Sequence, residues 1–386
     1  MGAISTTVVH LPQNSPHLSD ESELSKTIAY YRTMSELGQR LHGKGEYDGA
    51  QFRLQTAVIR LKDVLGPTHA DSLDASYWLG RNEYELCQYE TAEGLFREVA
   101  SGLTETLGKS DRKTLNCLRA IGLALSKQKN HKEAMSYFES ALEGLVPISD
   151  AHDQDLVHVL FQIGYSLYKQ GNFKEAERIL QDVLERRDEL PGPMAEDTIE
   201  CVYWLGRALF DLERYREAEQ AFRRTFTRRQ KNTDMSTNYW LGLAMYHQEK
   251  YEHAIQFLHR AFSLRNTTLG EHDLDTLCSS YWLGLAYIKR SKYTEAEPLL
   301  RQALDGSIKR FGDSEQDTLD CLYWYGQVLF SQNKTEEEQF VWHRLERGYK
   351  AFFHLRMRAS PMTIARWVRS LTPQERFLGA NLGFRE

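Results

Sequence analysis

A four-residue phrase, Tyr-Trp-Leu-Gly, recurs unchanged along this chain and sets its organisation. It stands at residues 77–80, 203–206, 239–242 and 281–284. Aligning the chain on the last residue of the phrase gives eight register glycines, 42 residues apart except for one step of 36, at Gly38, Gly80, Gly122, Gly164, Gly206, Gly242, Gly284 and Gly326. A fixed period of this length is typical of stacked supersecondary units, so the sequence predicts a repeat array.

Each repeat is predicted to be a helical hairpin. An aromatic residue recurs nine residues after most register glycines, an Ala recurs twelve after, and a Leu or Phe sixteen after. The last two positions are four apart and share one helical face. Helix A therefore contains the glycine and helix B the Ala. Asp-Ser-Leu or Asp-Thr-Leu phrases at 71–73, 275–277 and 317–319 are predicted to supply the N-cap oxygens of helix A.

The register glycines predict a close approach of the two helices. A glycine inside a helix costs about 1 kcal/mol relative to alanine, so packing must offset it. We expect each glycine to face the small Ala of helix B.

The order Trp-Leu-Gly, then Tyr, Ala and Phe or Leu, resembles the tetratricopeptide repeat family. The 42-residue period resembles the long-helix variety found in kinesin light chains and in the C-terminal arrays of fungal NLR-type proteins, and residues 293–304 are especially similar to it. The resemblance covers about residues 30–345. It implies an all-α fold, an α-solenoid of helical hairpins forming a right-handed superhelix.

Three segments are predicted. Residues 1–24 are rich in Ser, Thr, Pro and His and predict a disordered leader, residues 25–345 an array of about eight repeats, and residues 346–386 basic C-terminal capping helices or a docking tail. The first six residues fit the template for N-myristoylation at Gly2, although no strongly polybasic stretch follows to supply a second anchoring signal.

Composition excludes several classes of function. The net charge of -6 argues against nucleic acid as a partner, and no apolar run is long enough to span a bilayer. Four of the five cysteines occupy one slot in successive A helices, without a close Cys-x-x-Cys pair. We therefore expect reduced thiols, no metal site, no cofactor and a cytoplasmic protein.

The resemblance implies that helix A lines a concave groove that binds ligands. The residues three before, one after and four after each register glycine share one face of helix A, and they are mostly aromatic, with several arginines. This pattern predicts a groove for a peptide with aromatic anchors or for a small aromatic or apolar ligand. The alternative is that part of the face packs between repeats. The candidate binding residues are Tyr77, Arg81, Tyr84, Arg119, Phe161, Tyr165, Tyr203, Arg207, Tyr239, Tyr246, Tyr281 and Tyr323.

Three functions remain open at this point. Catalytic motifs such as a Gly-rich phosphate loop, G-x-S-x-G or H-E-x-x-H are absent from the sequence, which favours a non-enzymatic scaffold that binds a protein or peptide partner. The first alternative is an enzyme or small-molecule receptor that encloses an aromatic pocket, for example for natural-product cyclisation. The second is the sensor part of an NLR-type immune system that acts in trans.

Overall fold

The computed structural model describes residues 21–150, 152–188, 196–228 and 234–356, and these contain sixteen α-helices and no strand. The all-α prediction is thereby confirmed. The helices are α1 (Glu21–Gly43), α2 (Tyr47–Leu65), α3 (Ala70–Glu85), α4 (Tyr89–Leu107), α5 (Arg112–Lys127), α6 (His131–Leu145), α7 (Gln154–Lys169), α8 (Phe173–Asp188), α9 (Glu196–Asp211), α10 (Tyr215–Arg228), α11 (Met235–His247), α12 (Tyr251–Thr268), α13 (Leu274–Lys289), α14 (Tyr293–Phe311), α15 (Gln316–Ser331) and α16 (Thr335–Arg356).

The helices alternate as the repeat period predicts. Every register glycine lies in an odd-numbered helix, which is helix A, and every recurring Ala lies in an even-numbered helix, which is helix B. The chain forms two compact units, residues 1–172 and 173–386, and in each of them helices that follow one another in sequence pack together. Each unit is therefore a helical-repeat array of the solenoid class.

The predicted segment boundaries are not tested by this arrangement. Helix α1 begins at Glu21, and α16 continues to Arg356, beyond the predicted end of the array at residue 345. Residues 1–20, with the myristoylation template, and residues 357–386 lie outside the described part of the chain. None of the described helices is long and apolar enough to cross a membrane.

The N-caps of the A helices lie two residues earlier than predicted. The Oδ1 atom of Asp273, not Asp275, accepts the hydrogen bond that caps α13, from the amide of Asp275 at 2.9 Å. His69 takes the same place before Asp71 in α3, and Glu315 precedes α15. The Asp of the recurring phrase is thus a residue of the first helical turn, where a carboxylate still interacts favourably with the helix dipole.

The register glycines do admit a close approach, but the group that fills the space is not the predicted Ala. A Cβ atom on Gly80 would lie 2.8 Å from Cε1 of Phe96, and a Cβ on Gly206 would lie 2.8 Å from Cε1 of Phe222. Both aromatic residues occupy the position sixteen residues after the glycine. The Ala residues at the same crossing are fully buried, and they let helix B approach while the larger side chain covers the glycine.

A residue with a left-handed backbone conformation follows the end of each A helix. The residue seven after each register glycine has φ between +57° and +81°, although only Gly45 and Gly171 among the eight are glycines. The others include Glu213, Glu249 and Asn333. The A-to-B turn therefore has one conformation in all repeats, whatever the residue type at this position.

Polar side chains join successive repeats at the same positions. The Nε2 atoms of Gln248 and Gln332, six residues after their register glycines, donate to the carbonyl oxygens of Tyr215 and Tyr293 in the preceding repeat, at 3.1 and 2.8 Å. Two residues further on, Lys250 and Lys334 form ion pairs with Glu219 and Glu297 of the preceding B helix at 2.7 and 2.6 Å. These contacts set the spacing of neighbouring hairpins.

Candidate functional site

The predicted binding residues lie on the A helices, and their burial divides them into two groups. Phe161, Tyr203 and Tyr239 are buried, with 6–8 % of their surface exposed, so packing holds most of each ring. The remaining nine are accessible in full or in part: Tyr77, Arg81, Tyr84, Arg119, Tyr165, Arg207, Tyr246, Tyr281 and Tyr323. The first group supports the fold, and the second can reach a ligand.

In the first unit, four of the predicted residues line one pocket of about 230 Å³. Tyr77, Arg81 and Tyr84 come from α3, and Arg119 comes from α5. The remaining lining residues are Glu85, Phe96, Ala120, Leu123 and His158. The pocket therefore combines two guanidinium groups with the rings of two tyrosines from two successive A helices, and α7 adds His158.

The two guanidinium groups of this pocket are held in different ways. The Arg81 side chain is exposed and lies over the ring of Trp78, with 5.0 Å between Cζ and the ring centroid. An Nη atom of Arg119 lies 3.8 Å from a carboxylate oxygen of Asp155, a long ion pair, and its Nε is buried without a hydrogen-bond partner. A guanidinium with an unused donor is suited to an anionic or carbonyl-bearing group.

The tyrosines of the pocket are neutral hydrogen-bonding groups. Burial raises the pKa of Tyr84, and the nearby phenol of Tyr89 adds to this. Burial also raises the pKa of Tyr77, and the charge of Arg81 opposes that shift. Both hydroxyl groups therefore stay protonated at neutral pH, and each offers one donor and two acceptor sites beside an apolar ring.

In the second unit, Arg207 is held between two tryptophans. Its Cζ atom lies 3.6 Å from the ring centroid of Trp240 and 5.6 Å from that of Trp204. Phe210 and Tyr246 continue the same face, because Phe210 contacts Trp240 edge-on at 5.2 Å and Tyr246 contacts Trp282 at 5.3 Å. Trp240 and Trp282 thus pack against the A helix of the preceding repeat and are only half-buried.

Tyr281 and Tyr323 extend this face toward the last repeat. Each ring meets the Trp that follows it edge-on, with centroid distances of 5.7 Å for Tyr281 and 5.2 Å for Tyr323. Tyr323 also contacts Trp342 of α16 at 5.9 Å. In the first unit, Tyr165 contacts His131 at 5.9 Å. These pairs pre-orient the rings, which lowers the entropy cost of using them as ligand contacts.

The sequence reading missed a buried arginine next to this face. Arg265 of α12 is 4 % exposed, and its Cζ atom lies 4.3 Å above the ring centroid of Tyr239. It stands 23 residues after its register glycine, where Leu103 and Leu145 stand in the second and third repeats. Arginine also stands at this position in the fourth repeat, as Arg187, and in the fifth, as Arg229, so comparing the repeats would have revealed a recurring arginine.

Cationic and aromatic groups dominate the chemistry of the A-helix face. Among the described residues, no cluster of three or more His, Cys, Asp or Glu side chains could hold a metal ion. The face can bind aromatic rings by edge contacts, and it can bind anionic or carbonyl groups through its arginines. Of the twelve predicted residues, Tyr77, Arg81, Tyr84 and Arg119 line a common pocket in the described part of the chain.

The helical hairpins, their period and their small residues define the class of helical-repeat proteins. A tetratricopeptide repeat model matches residues 71–145, 155–231 and 234–309, and a second one matches residues 203–263. Because these matches cover more than half of the chain, it belongs to the tetratricopeptide repeat family. The family places it among protein-interaction scaffolds in general. No curated protein matches the chain in sequence.

Several solved structures of repeat proteins are similar to parts of the chain. The nearly identical TPR-like repeats of a Podosopora anserina protein assigned as a kinesin light chain share 17 % identity over 52 % of this chain and 95 % of their own, with a TM-score of 0.45. BtubC (BKLC) from P. vanneervenii shares 15 % over 57 % and 91 %, with a TM-score of 0.46. The C-terminal part of a TPR repeat-containing protein from Cytophaga hutchinsonii shares 15 % over 75 % and 99 %, also with 0.46.

Proposed function

We propose that the A-helix faces of this scaffold recognise a peptide or protein segment through aromatic contacts and arginine side chains. The observation that carries the proposal is the pocket in the first unit, which collects Tyr77, Arg81, Tyr84 and Arg119 from two A helices. A volume of about 230 Å³ suits one side chain or one terminal group of a peptide. The pocket is thus an anchor point, and the rest of the peptide would lie along neighbouring A helices.

The charge of the pocket indicates which anchor it would take. Arg119 has an unused Nε donor, and Arg81 adds a second guanidinium. Glu85 is the acidic residue among the lining side chains. The expected anchor therefore has an acceptor or anionic group beside an apolar or aromatic portion that packs on Tyr77 and Tyr84. Rings held by neighbouring side chains make such a contact without a large loss of rotamer freedom.

Arg207 supports an equivalent role for the second unit. Its guanidinium lies over the ring of Trp240 and beside that of Trp204, and these contacts restrict the movement of the side chain. Stacked arginines with aromatic neighbours are the residue types that contribute most at protein interfaces. We therefore expect Arg207 to contact the partner of this unit.

A displayed random-peptide library tests this proposal. Peptides selected on the wild-type protein should lose about tenfold or more in affinity when Arg81 is changed to Glu, since a favourable charge becomes a repulsive one. Arg119→Gln removes the positive charge and does not place a second negative charge beside Asp155. It should also lower peptide affinity, but by a smaller factor than Arg81→Glu. Thermal unfolding of both variants should match that of the wild type within a few degrees.

Arg178→Glu is the matched control. Arg178 lies on helix B of the fourth repeat, where its Nη2 pairs with Glu175 at 2.5 Å, and the variant makes the same change in net charge away from the A-helix face. Its peptide affinities should equal those of the wild type. Equal affinities in Arg81→Glu, Arg119→Gln and Arg207→Glu would exclude the A-helix faces as the binding site.

A specific observation also favours small-molecule binding as a second function. A larger pocket in the first unit, of about 610 Å³, lies between helices A and B of one repeat and helix A of the next. The proposal of an immune sensor acting in trans stays a prediction.

A further inference from the structure

An apolar pocket of the first unit lies between α3, α4 and α5. It has a volume of about 610 Å³. Its floor consists of the aliphatic side chains of Leu73, Val99, Leu103 and Leu107 with the rings of Tyr77 and Trp78. Leu107 is 50 % exposed, so this apolar surface is not fully covered by the protein itself. Volume and lining both lie in the range of small-molecule sites in proteins.

The sixth repeat shows what can fill this place. Arg265 occupies the position of Leu103, since each stands 23 residues after its register glycine. The guanidinium of Arg265 lies over the ring of Tyr239, 4.3 Å from its centroid. Its Nη1 donates to the carbonyl oxygen of Asp275 at 3.0 Å and to Oγ of Ser279 at 2.8 Å. In this repeat the protein supplies its own planar cation.

Three residues that line the pocket in the second repeat stand at the same register positions as the residues that contact Arg265 in the sixth. Tyr77 is the counterpart of Tyr239, and Lys113 and Cys117 are the counterparts of Asp275 and Ser279, with the same 42-residue step between the repeats. All three line the pocket. The shorter Leu103 therefore leaves unfilled the place above a tyrosine ring that Arg265 fills in the sixth repeat.

Two of the lining residues carry acceptor groups with few hydrogen-bond donors. The Oδ1 atom of Asn116 is buried and has no hydrogen-bond partner, while the Nδ2 of the same side chain donates toward Asp155. The Asp74 carboxylate accepts one hydrogen bond from Nε2 of Gln39 at 3.1 Å. Burial raises the pKa of Asp74, whereas the hydrogen bond from Gln39 and the charge of Lys113 oppose that shift. A buried acceptor without a partner is unfavourable, so a ligand that donates a hydrogen bond to it gains affinity.

We propose that this pocket binds a small organic amine with an aromatic or branched aliphatic body. The body packs on Leu73 and Leu103 and over the ring of Tyr77. The ammonium, amidinium or guanidinium head donates to Oδ1 of Asn116 and to the carboxylate of Asp74. Lys113 is exposed and also lines the pocket, so the cationic head would compete with its ammonium group for the carboxylate of Asp74. A single arginine side chain of a partner would leave much of the pocket empty, which favours a ligand with its own apolar body.

Ligand-observed NMR with two probes of similar size tests the class of ligand. Phenethylamine should bind the wild-type protein about tenfold more tightly than 3-phenylpropionate, because the latter presents an anion to Asp74. An acetylated and amidated Gly-Arg-Gly peptide distinguishes the source of the cation and should bind more weakly than phenethylamine. Equal binding of the two phenyl probes, stronger binding of the peptide, or no binding of phenethylamine would each overturn the proposal.

Two variants locate the binding. Leu103→Arg transfers the side chain of the sixth repeat into the pocket, and it should abolish phenethylamine binding while the thermal unfolding temperature stays close to that of the wild type. Asp74→Asn changes an exposed residue isosterically, so it keeps the fold, and it should weaken phenethylamine about fivefold or more while sparing 3-phenylpropionate. Wild-type affinity for phenethylamine in Asp74→Asn, or in a folded Leu103→Arg, would exclude this pocket.

The sixth repeat supplies a control. Arg265→Met removes the guanidinium above Tyr239, but Ser236 and Cys278 stand where the second repeat has Asp74 and Asn116, so this variant should not gain an amine site. Arg81→Glu lies outside this pocket and should leave phenethylamine binding unchanged even though it lowers peptide affinity. A failure of the peptide proposal can therefore be distinguished from a failure of the amine proposal.

Discussion

The ring of Phe222 lies directly over Gly206, and a Cβ atom on that glycine would approach its Cε1 to 2.8 Å. Phe222 is completely buried, so its ring cannot move aside without disturbing the helices around it. The same relationship joins Gly80 to Phe96 and Gly122 to Phe138. The glycine of the repeated phrase is thus a packing element of the hairpin and not a flexible point in helix A.

Gly206→Ala should destabilise the second unit by about 1–3 kcal/mol, because the new methyl group overpacks the crossing with Phe222. Gly94→Ala is the control, since a Cβ at Gly94 of α4 meets nothing within 4 Å. That variant should gain about 0.5–1 kcal/mol from helix propensity. Chemical unfolding followed by circular dichroism measures both. Equal effects of the two substitutions would contradict the packing role.

Glu249→Gly should stabilise the protein. Glu249 has φ of +62° in the turn between α11 and α12, a conformation that costs a non-glycine residue about 1–2 kcal/mol. Glycine avoids that cost but loses about 0.5–1 kcal/mol of backbone entropy, which leaves a net gain of up to about 1 kcal/mol. Calorimetric measurement of thermal unfolding tests this gain in stability. Gln256→Gly, at an exposed position inside α12, should instead lose about 1 kcal/mol.

The stabilising contribution of Glu219 should be lost in acid. Burial raises its pKa, but hydrogen bonds from Lys250, Arg223 and Gln248 outweigh this and hold the pKa below the ordinary value of 4.5. A carboxylate with a lowered pKa stabilises the fold fully above that ordinary value, and the contribution disappears as the pH falls through the folded-state pKa. The loss is therefore expected below about pH 4.5.

The variant Glu219→Gln isolates that contribution. At pH 7 it should be less stable than the wild type by about 1–3 kcal/mol, because charge-assisted hydrogen bonds are lost in a nearly buried place. The difference should shrink steadily as the pH is lowered from 5 to 3, as urea unfolding at each pH would show. A difference that is independent of pH would mean that the ion pair with Lys250 is not the cause.

The five cysteines should differ sharply in reactivity. Burial raises the pKa of Cys117, Cys201 and Cys321 to about 12, so almost none of these thiols is ionised at neutral pH. Cys87 is exposed in the turn after α3. Iodoacetamide at pH 8 should therefore modify Cys87 at least tenfold faster than the buried thiols, because the thiolate is the nucleophile.

Mass spectrometry of peptides from the native protein measures the order of labelling. The variant Cys87→Ser should remove the fast phase and leave the slow phases unchanged. Fast labelling of Cys201 in the folded protein would show that the A helices open more readily than their packing indicates.

The sequence predicted best the features that depend on residues within one helix or on two helices joined by a short turn. The all-α class and the helical hairpins followed from a period of 42 residues and from apolar positions four apart. Helix boundaries were less accurate. His69 and Asp273 form the N-caps, two residues before the predicted Asp71 and Asp275, because the choice among neighbouring polar residues depends on where the preceding loop ends.

The candidate site was only partly accessible to sequence reasoning. Position on helix A identified Arg81, Arg119 and Arg207, but it could not separate the half-buried Tyr77 from the buried Tyr203, because both occupy the same register position. Their difference in burial depends on which side chains the neighbouring repeats place beside each ring.

The sequence by itself determined that this chain forms stacked helical hairpins, because the repeated Gly, Ala and Phe or Leu leave one way to bury each apolar face. Only the tertiary structure decided which residues share a pocket. Leu103 and Arg265 occupy the same register position, yet one borders an unfilled pocket and the other fills its counterpart. The physical reason is that a cavity depends on the combined volume of side chains from three helices in two repeats, and no single position in the sequence specifies that sum.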